Sequence, residues 1–294
     1  MNVAAKKPIT LTEKYNYINL SHIMESIVSY KPSNPLLIDK VSAIVFWRRS
    51  ADFNNPTIFL PNNICGFGLT LSGEFLVKSK TSFNKMPAFG IRNTLIKPSE
   101  IITRGEFLNI SIRLKIPNGM SLFTHIPMNV IYEGEVTSLN DIFSNQEINI
   151  LEESLIGASN DIDKLKVLEH FLVGKLTGYH SPCFLGIINK IHETNGQCNV
   201  AQLASYFTIS ERTIHRLFNK FIGINPKNYI NLIRFRSALR FATKTKKDCI
   251  NTAIDAGYYD QSHFIKQFKT FSTLTPTQFS STIHSNKVSD FYNL

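Results

Sequence analysis

Two hydrophobic periodicities divide the chain. From about Leu36 to Val136, short β-branched and aromatic stretches are separated by Pro, Asn and Gly, a pattern that predicts β-strands and turns. These stretches are Val41–Trp47, Thr57–Leu60, Phe67–Leu71 and Ile110–Ile116. From Leu139 onwards the apolar residues recur at helical spacing. A strand-rich half followed by a helical half is therefore expected.

The first long helical pattern joins the two halves. Leu165, Leu168, Leu172 and Leu176 fall on one face of a helix that Asp161 would cap. This face either packs on the strand-rich half or forms a dimer interface. Residues 177–183 begin with TGYHSP, whose Gly and Pro interrupt the helix, and they are interpreted as a linker.

A repeat with an offset of 50 residues occupies the C-terminal region. Ser210–Tyr229 reads SERTIHRLFNKFIGINPKNY, and Asp260–Phe279 reads DQSHFIKQFKTFSTLTPTQF. Each copy starts with a good N-cap residue and follows a short apolar helix, Val200–Phe207 capped by Asn199 or Ile250–Ala256 closed by Gly257. A short helix, a turn and a second capped helix predict a helix-turn-helix unit, present twice.

The second helix of each copy, residues 210–222 and 260–272, has an apolar and a polar face. The apolar residues of the first, Ile214, Leu217, Phe218 and Phe221, recur at helical spacing and should turn inwards. The outer residues are suited to reading base edges. They are Arg212, His215, Arg216 and Asn219 in the first copy and Gln261, Ser262, Ile265 and Lys266 in the second.

Charge supports a polyanionic partner for the repeat. The chain has 294 residues and a net charge of +10, yet Met1–Cys183 holds 18 basic against 16 acidic residues. Phe184–Ile283 holds 13 basic against five acidic residues. A single amphipathic helix would equally fit a solvated surface, but that interpretation predicts neither the repetition nor the localised charge.

Between the copies, Pro226–Ala242 predicts a 17-residue helix of about 25 Å. Such a connection would let two helices enter successive major grooves, roughly 34 Å apart.

These residues resemble the DNA-binding domain of the AraC/XylS family of bacterial transcription regulators. The resemblance rests on Val200–Leu239, including Arg216-Leu217-Phe218, Gly223 and Pro226, and on AGYYDQSHFIKQFK at Ala256–Lys269. It implies an all-α domain over residues 184–284, with two helix-turn-helix units joined by a long helix, and a tail at 285–294. It also implies an operator in double-stranded DNA, transcriptional activation and recruitment of RNA polymerase.

The resemblance further predicts individual roles. Phosphate contacts are expected from Asn199, Lys227, Arg234 and Lys269, although Arg234 equally fits a role in helix packing. Thr273 stands where the family usually has Gly, so this helix is expected to close differently.

Residues 1–176 resemble the family's regulatory domains more loosely. A small β-barrel of the cupin type with flanking helices is expected, giving an α+β chain whose N-terminal half binds a small-molecule effector or forms a homodimer. Trp47, Phe67, Phe75 and Arg113 are candidates to line the barrel interior, with ordinary core packing as the alternative for the aromatic residues.

Several other classes are disfavoured. The four cysteines show no C-x-x-C spacing, and His22 and His125 lack clustered ligands, so no metal, cofactor or catalytic site is expected. The chain lacks a recognisable signal peptide and an apolar run of about 20 residues, which predicts a cytoplasmic protein with no membrane partner. Two alternatives stay open: an enzyme such as a Cys alkyl transferase fused to the DNA-binding module, and an architectural protein without sequence preference. The unlike outer faces of the two helices argue against the second.

Overall fold

The computed structural model describes residues 9–10, 26–50, 53–79, 82–123, 125–131, 136–178, 181–245, 257–258 and 260–279. They form an antiparallel sheet followed by helices, which confirms the predicted α+β class. The strands are β1 (Ile9–Thr10), β2 (Ser26–Tyr30), β3 (Val41–Arg49), β4 (Phe53–Phe59), β5 (Cys65–Lys78), β6 (Phe83–Lys85), β7 (Phe89–Arg92), β8 (Ser99–Leu114) and β9 (Val136–Ser138). The α-helices are α1 (Asn145–Gly157), α2 (Asp161–Gly174), α3 (Pro182–Glu193), α4 (Val200–Tyr206), α5 (Glu211–Phe221), α6 (Pro226–Thr245) and α7 (Gln261–Ser272).

All strands belong to one sheet of order β1-β2-β3-β8-β5-β7-β9, with β4 added beside β8 and β6 beside β5. The long β8 is central, because one edge pairs with β5 while the other pairs with β3 near Leu114 and with β4 near Ser99. Among the described strands the pairing runs as an open path from β1 to β9. The predicted small barrel is thus a barrel-like sheet, and strands β3, β4, β5, β7 and β8 all contribute to a common interior cavity.

Alternation along β3 places its side chains in two separate cores. Ile44 and Phe46 are fully buried in the main core, which extends without interruption from the sheet to the C-terminal helices. Trp47 points the other way and packs on a smaller cluster that includes Phe59 and Ile101. One face of the sheet therefore supports the helices, and the other encloses the cavity.

Helix α2 packs on its own chain. Its N-cap is Asn160, whose Oδ1 accepts the Asp163 N–H at 3.0 Å, so the predicted cap at Asp161 is wrong by one residue. Asp161 instead accepts hydrogen bonds from Arg48 and from Tyr30. The leucine face of this helix lies against the main core, with Leu168 and Leu172 fully buried and Leu165 and Leu176 partly buried. The dimer-interface alternative for that face therefore does not hold.

The connection after α2, residues 175–181, lies two residues earlier than the predicted linker. Helix α3 begins at Pro182, with the Ser181 hydroxyl accepting the Phe184 N–H, so the last two residues of the predicted 177–183 linker belong to a helix. Thr177 donates its backbone N–H to the Ser121 carbonyl at 3.1 Å. Of the helices within the described ranges, none is both long and apolar enough to cross a bilayer.

The helical domain follows the repeat. Helix α6 continues to Thr245, three residues beyond the predicted end, and its 20 residues span about 30 Å. The predicted helix Ile250–Ala256 lies outside the described residues, but Gly257 has the expected positive φ of +76°. Thr273 adopts φ +66°, close to the +81° of Gly223 in the first copy. The expectation that α7 ends differently from α5 is therefore wrong, because Thr273 adopts the same left-handed backbone conformation as Gly223.

Candidate nucleic-acid interface

The buried face of α5 fixes the rotation of the first recognition helix. Ser210 caps it by accepting the Thr213 N–H at 3.1 Å. Ile214, Phe218 and Phe221 are buried, and the Phe218 ring meets those of Phe184 and Tyr229 edge-on at 5.3 and 5.6 Å. The predicted inward face is thus confirmed, although Leu217 is only half-buried.

The outer face of α5 carries the predicted base-reading side chains. Arg212, Arg216 and Asn219 are exposed, and His215 is half-buried. Among the hydrogen bonds and ion pairs of the described residues, none engages these four side chains. An Arg whose guanidinium makes no hydrogen bond or ion pair within the described residues presents a planar set of donors that matches guanine O6 and N7 in the major groove.

Helix α7 repeats this arrangement with different chemistry. Phe264 and Phe268 are fully buried, and Phe235 of α6 contacts Phe268 and Phe271 at ring distances of 5.3 and 5.0 Å. Helix α6 therefore holds α5 through Tyr229 and α7 through Phe235. The outer side chains are Gln261, Ser262, Lys266 and Lys269, all exposed, and Ile265, which is half-buried.

The candidate phosphate contacts differ in availability. Lys227 and Lys269 are exposed. Asn199 caps α4 with its side-chain oxygen, which accepts the Gln202 N–H at 2.9 Å, so only its NH₂ group can meet a phosphate. Arg234 donates from Nε and Nη2 to the Gly196 carbonyl at 2.9 and 2.6 Å, and the structure favours the packing interpretation for this residue.

The end of α5 opposite its N-cap contacts the N-terminal half. Phe221 and Lys220 share a small pocket with Met120, Phe123 and Met128, which belong to the segment after β8. Gly223 lies against the Met128 carbonyl and the Asn93 side chain. Sequence patterns could not reveal this contact, because it joins elements far apart in the chain.

Trp47, Phe67, Phe75 and Arg113 all line one cavity of about 110 Å³ inside the sheet. Phe67, however, is buried in the main core, where its ring lies 4.9 Å from that of Phe123, so the core-packing alternative is favoured for this residue. Their proposed role in effector binding remains a prediction.

Sequence reasoning missed Arg92 in the same cavity. Phe89 and Ile91 alternate with Gly90 and Arg92 along β7, and the latter two line the cavity. The available signal was one Arg at the end of an otherwise apolar strand. Burial lowers the pKa of its guanidinium to about 10, so the group is still a cation at neutral pH.

The alkyl-transferase alternative gains no support from the described cysteines. Cys65 is fully buried, and burial raises the pKa of its thiol to about 12, which disfavours the nucleophilic thiolate. Cys183 is exposed and Cys198 half-buried, and both thiols are free. Cys249 lies outside the described residues.

Comparison with known proteins matches residues 203–282 to a helix-turn-helix domain family. The HTH-type transcriptional activator RhaS of Mannheimia succiniciproducens is 34% identical over 77 residues, which cover 26% of this chain and 29% of that protein. The chain thus spans less than a third of the length of this curated relative.

Two solved structures are similar to the chain at low identity. ToxT from Vibrio cholerae O395 has 16% identity and a TM-score of 0.44, with coverage of 81% of this chain and 96% of ToxT. The AraC-like transcriptional activator CuxR has 17% identity and a TM-score of 0.30, with coverage of 74% and 80%. Scores this low carry no inference about ligand or mechanism.

Proposed function

We propose that this chain, a member of the AraC family of transcription regulators by its helix-turn-helix domain, is a sequence-specific activator that reads two successive major grooves of an operator. One observation carries the proposal. Two capped helices, α5 and α7, each bury an aromatic face and expose an outer face without hydrogen bonds to other described residues, and α6 joins them.

The two outer faces would read different sequences. Arg212 and Arg216 on α5 favour guanine, whereas Gln261 on α7 can pair bidentately with adenine and Ile265 can contact a thymine methyl group. A protein that bound DNA only through phosphates would need none of this asymmetry. Sequence-specific binding is therefore favoured over an architectural role.

Lys227, Lys269 and the Asn199 NH₂ group are the phosphate contacts that remain in this proposal. All three residues are exposed and lie in the domain that carries the excess positive charge. Their contacts would fix the register of α5 and α7 on the duplex without reading bases.

The N-terminal half would regulate this binding. We assign the cavity beside Trp47 to a small-molecule effector, since it is a partly open cleft lined by aromatic and polar groups. The proposal also includes homodimerisation through another surface, contact with RNA polymerase and a cytoplasmic location. These three parts rest on the family alone.

The proposal is tested by selecting bound sequences from a random DNA pool with the full chain. We expect an enriched site with two unlike half-sites whose centres are about 10–10.5 base pairs apart, because each helix meets the same face of the duplex one turn later. A Glu153→Ala variant, changed at an exposed α1 residue, should select the same site. Recovery of unenriched sequences, or of a single half-site, would contradict two-groove reading.

A further inference from the structure

Two buried hydrogen-bond donors belong to side chains that line the same cavity. The Nη2 atom of Arg92 and the Nε1 atom of Trp47 are both buried, and neither has an acceptor among the described residues. Both side chains line the same cavity. Buried N–H groups are nearly always paired, so two unpaired donors at one cavity indicate an acceptor supplied by a ligand.

The charge and walls of this cavity restrict that ligand. Arg92 and Arg113 are both among the lining residues, whereas no Asp or Glu of the described part of the chain is. The Arg92 guanidinium lies 5.6 Å from the centre of the Phe75 ring and 5.9 Å from that of Phe59. A cation held between aromatic rings, with an indole N–H nearby, favours an anion with an apolar body.

We infer that the cavity binds a small organic carboxylate, whose oxygens accept hydrogen bonds from Arg92 and Trp47. The guanidinium fork matches the planar carboxylate, and the aromatic walls disfavour strongly hydrated inorganic anions. A cavity of about 110 Å³ accommodates about four to six non-hydrogen atoms, judged against cavities of about 150 Å³ that take up benzene. Binding itself does not depend on the DNA-binding function, but the role of this carboxylate as an effector rests on the function proposed above.

Two residues that line the cavity are followed in the chain by residues that approach the DNA-binding domain. Arg92 precedes Asn93, which is fully buried and contacts Gly223 at the end of α5. Asn62 also lines the cavity, and its neighbour Asn63 lies near the Tyr229 hydroxyl on α6. A ligand that moves β7 or the Asn62 turn therefore acts directly on the elements that position the first recognition helix.

Ligand binding can be followed by the intrinsic fluorescence of tryptophan. Trp47 is its single tryptophan, so tryptophan fluorescence of the full chain reports on the cavity. We expect butyrate to change this fluorescence saturably, with butyramide at least tenfold weaker because it lacks the charge that strengthens the hydrogen bonds to Arg92. Decanoate, too long for the cavity, should also be at least tenfold weaker.

Three variants separate the site from the rest of the sheet. Arg92→Met should lower butyrate affinity about 10- to 100-fold, the loss expected when a charge-assisted pair is removed. Gly68→Val should block binding by filling the cavity, because a Cβ there meets nothing nearer than Asn109 Nδ2 at 3.9 Å. Arg104→Met removes an exposed Arg of the same sheet and should bind as the unchanged chain does.

The ligand-free Arg92→Met protein should melt no lower than the parent, since it no longer buries an unpaired guanidinium nitrogen. If this variant nevertheless fails to fold, the Gly68→Val variant decides. Equal binding of butyrate and butyramide, tighter binding of decanoate or inorganic phosphate, or unchanged butyrate affinity in either cavity variant would overturn the inference.

A gel-shift titration with the selected operator tests the effector role. Butyrate should change operator affinity about 5-fold or more, the size of a typical coupling between sites. Butyrate binding without that change would overturn the effector role. Butyrate binding in a chain that enriches no DNA site would overturn the proposed function instead, while operator binding without carboxylate binding would overturn only this inference.

Discussion

Gly223 at the end of α5 lies so close to Asn93 of the sheet domain that a Cβ atom added to it would be 2.6 Å from the Asn93 Nδ2 atom. The same Cβ would clash with the Met128 carbonyl oxygen. Glycine is needed here both for its φ of +81° and for this approach. The first recognition helix is therefore tied to the N-terminal half where the two domains meet.

Gly223→Ala should loosen this contact and destabilise the protein by about 2–4 kcal/mol, because it combines a strained φ with a clash against backbone. Urea unfolding of the full chain measures the loss. Gly178→Ala is the matched control, since its φ of +69° is similar but no atom of the described residues lies within 4 Å of the added Cβ. Equal losses in the two variants would show that the interdomain approach contributes nothing.

Thr273→Gly should stabilise the protein by about 1 kcal/mol, because Gly adopts the observed φ of +66° without steric cost. Thermal unfolding monitored by circular dichroism checks the sign. The same exchange at Thr270, which lies in the regular part of α7, should destabilise by about 0.5–1 kcal/mol. A lower melting temperature for Thr273→Gly would mean that the Thr side chain contributes more than its conformation costs.

Arg216→Ala should cost about 1–3 kcal/mol of binding to the selected operator and relax specificity at one half-site only. Gel shifts with the operator and with scrambled DNA measure both effects. Lys269→Ala, at an exposed position of α7, should instead weaken binding to all sequences alike. If Lys269→Ala discriminates among sites, or Arg216→Ala does not, the division into base and phosphate contacts is wrong.

Operator binding should fall steeply with salt. If about six phosphates are neutralised, the slope of log K against log salt is about −5, and Lys227→Ala should reduce its magnitude by about one. The affinity is measured at several salt concentrations in both proteins. A flat dependence would exclude the phosphate contacts as a source of affinity.

The buried thiol of Cys65 should resist labelling until the protein unfolds. A chain with Cys183, Cys198 and Cys249 changed to Ser isolates it, and labelling with a disulfide reagent at neutral pH should be slow because burial holds the pKa near 12. Because the folded pKa is raised, this group lowers stability as pH rises above the ordinary thiol value, where only the unfolded chain loses the proton. Fast native-state labelling would contradict the buried position.

The helix-turn-helix units were predictable from sequence because their signals are local. Caps such as Ser210 and Asp260 act within one turn, and the apolar spacing around Phe218 and Phe268 decides which side faces inwards. Errors arose where neighbouring residues competed or where a helix end depended on its surroundings. Asn160 rather than Asp161 caps α2, since Asp161 is engaged by Arg48 and Tyr30.

The sequence by itself determined the α+β order, the repeat, the basic C-terminal region and the outer faces of α5 and α7, since helical periodicity and net charge are properties of short stretches. Only the tertiary structure decided that Arg234 packs against Gly196, that Arg92 joins Trp47 at one cavity, and that Gly223 meets Asn93. Each of these relationships depends on distant segments that strand pairing and burial bring together, and no local pattern records such a pairing.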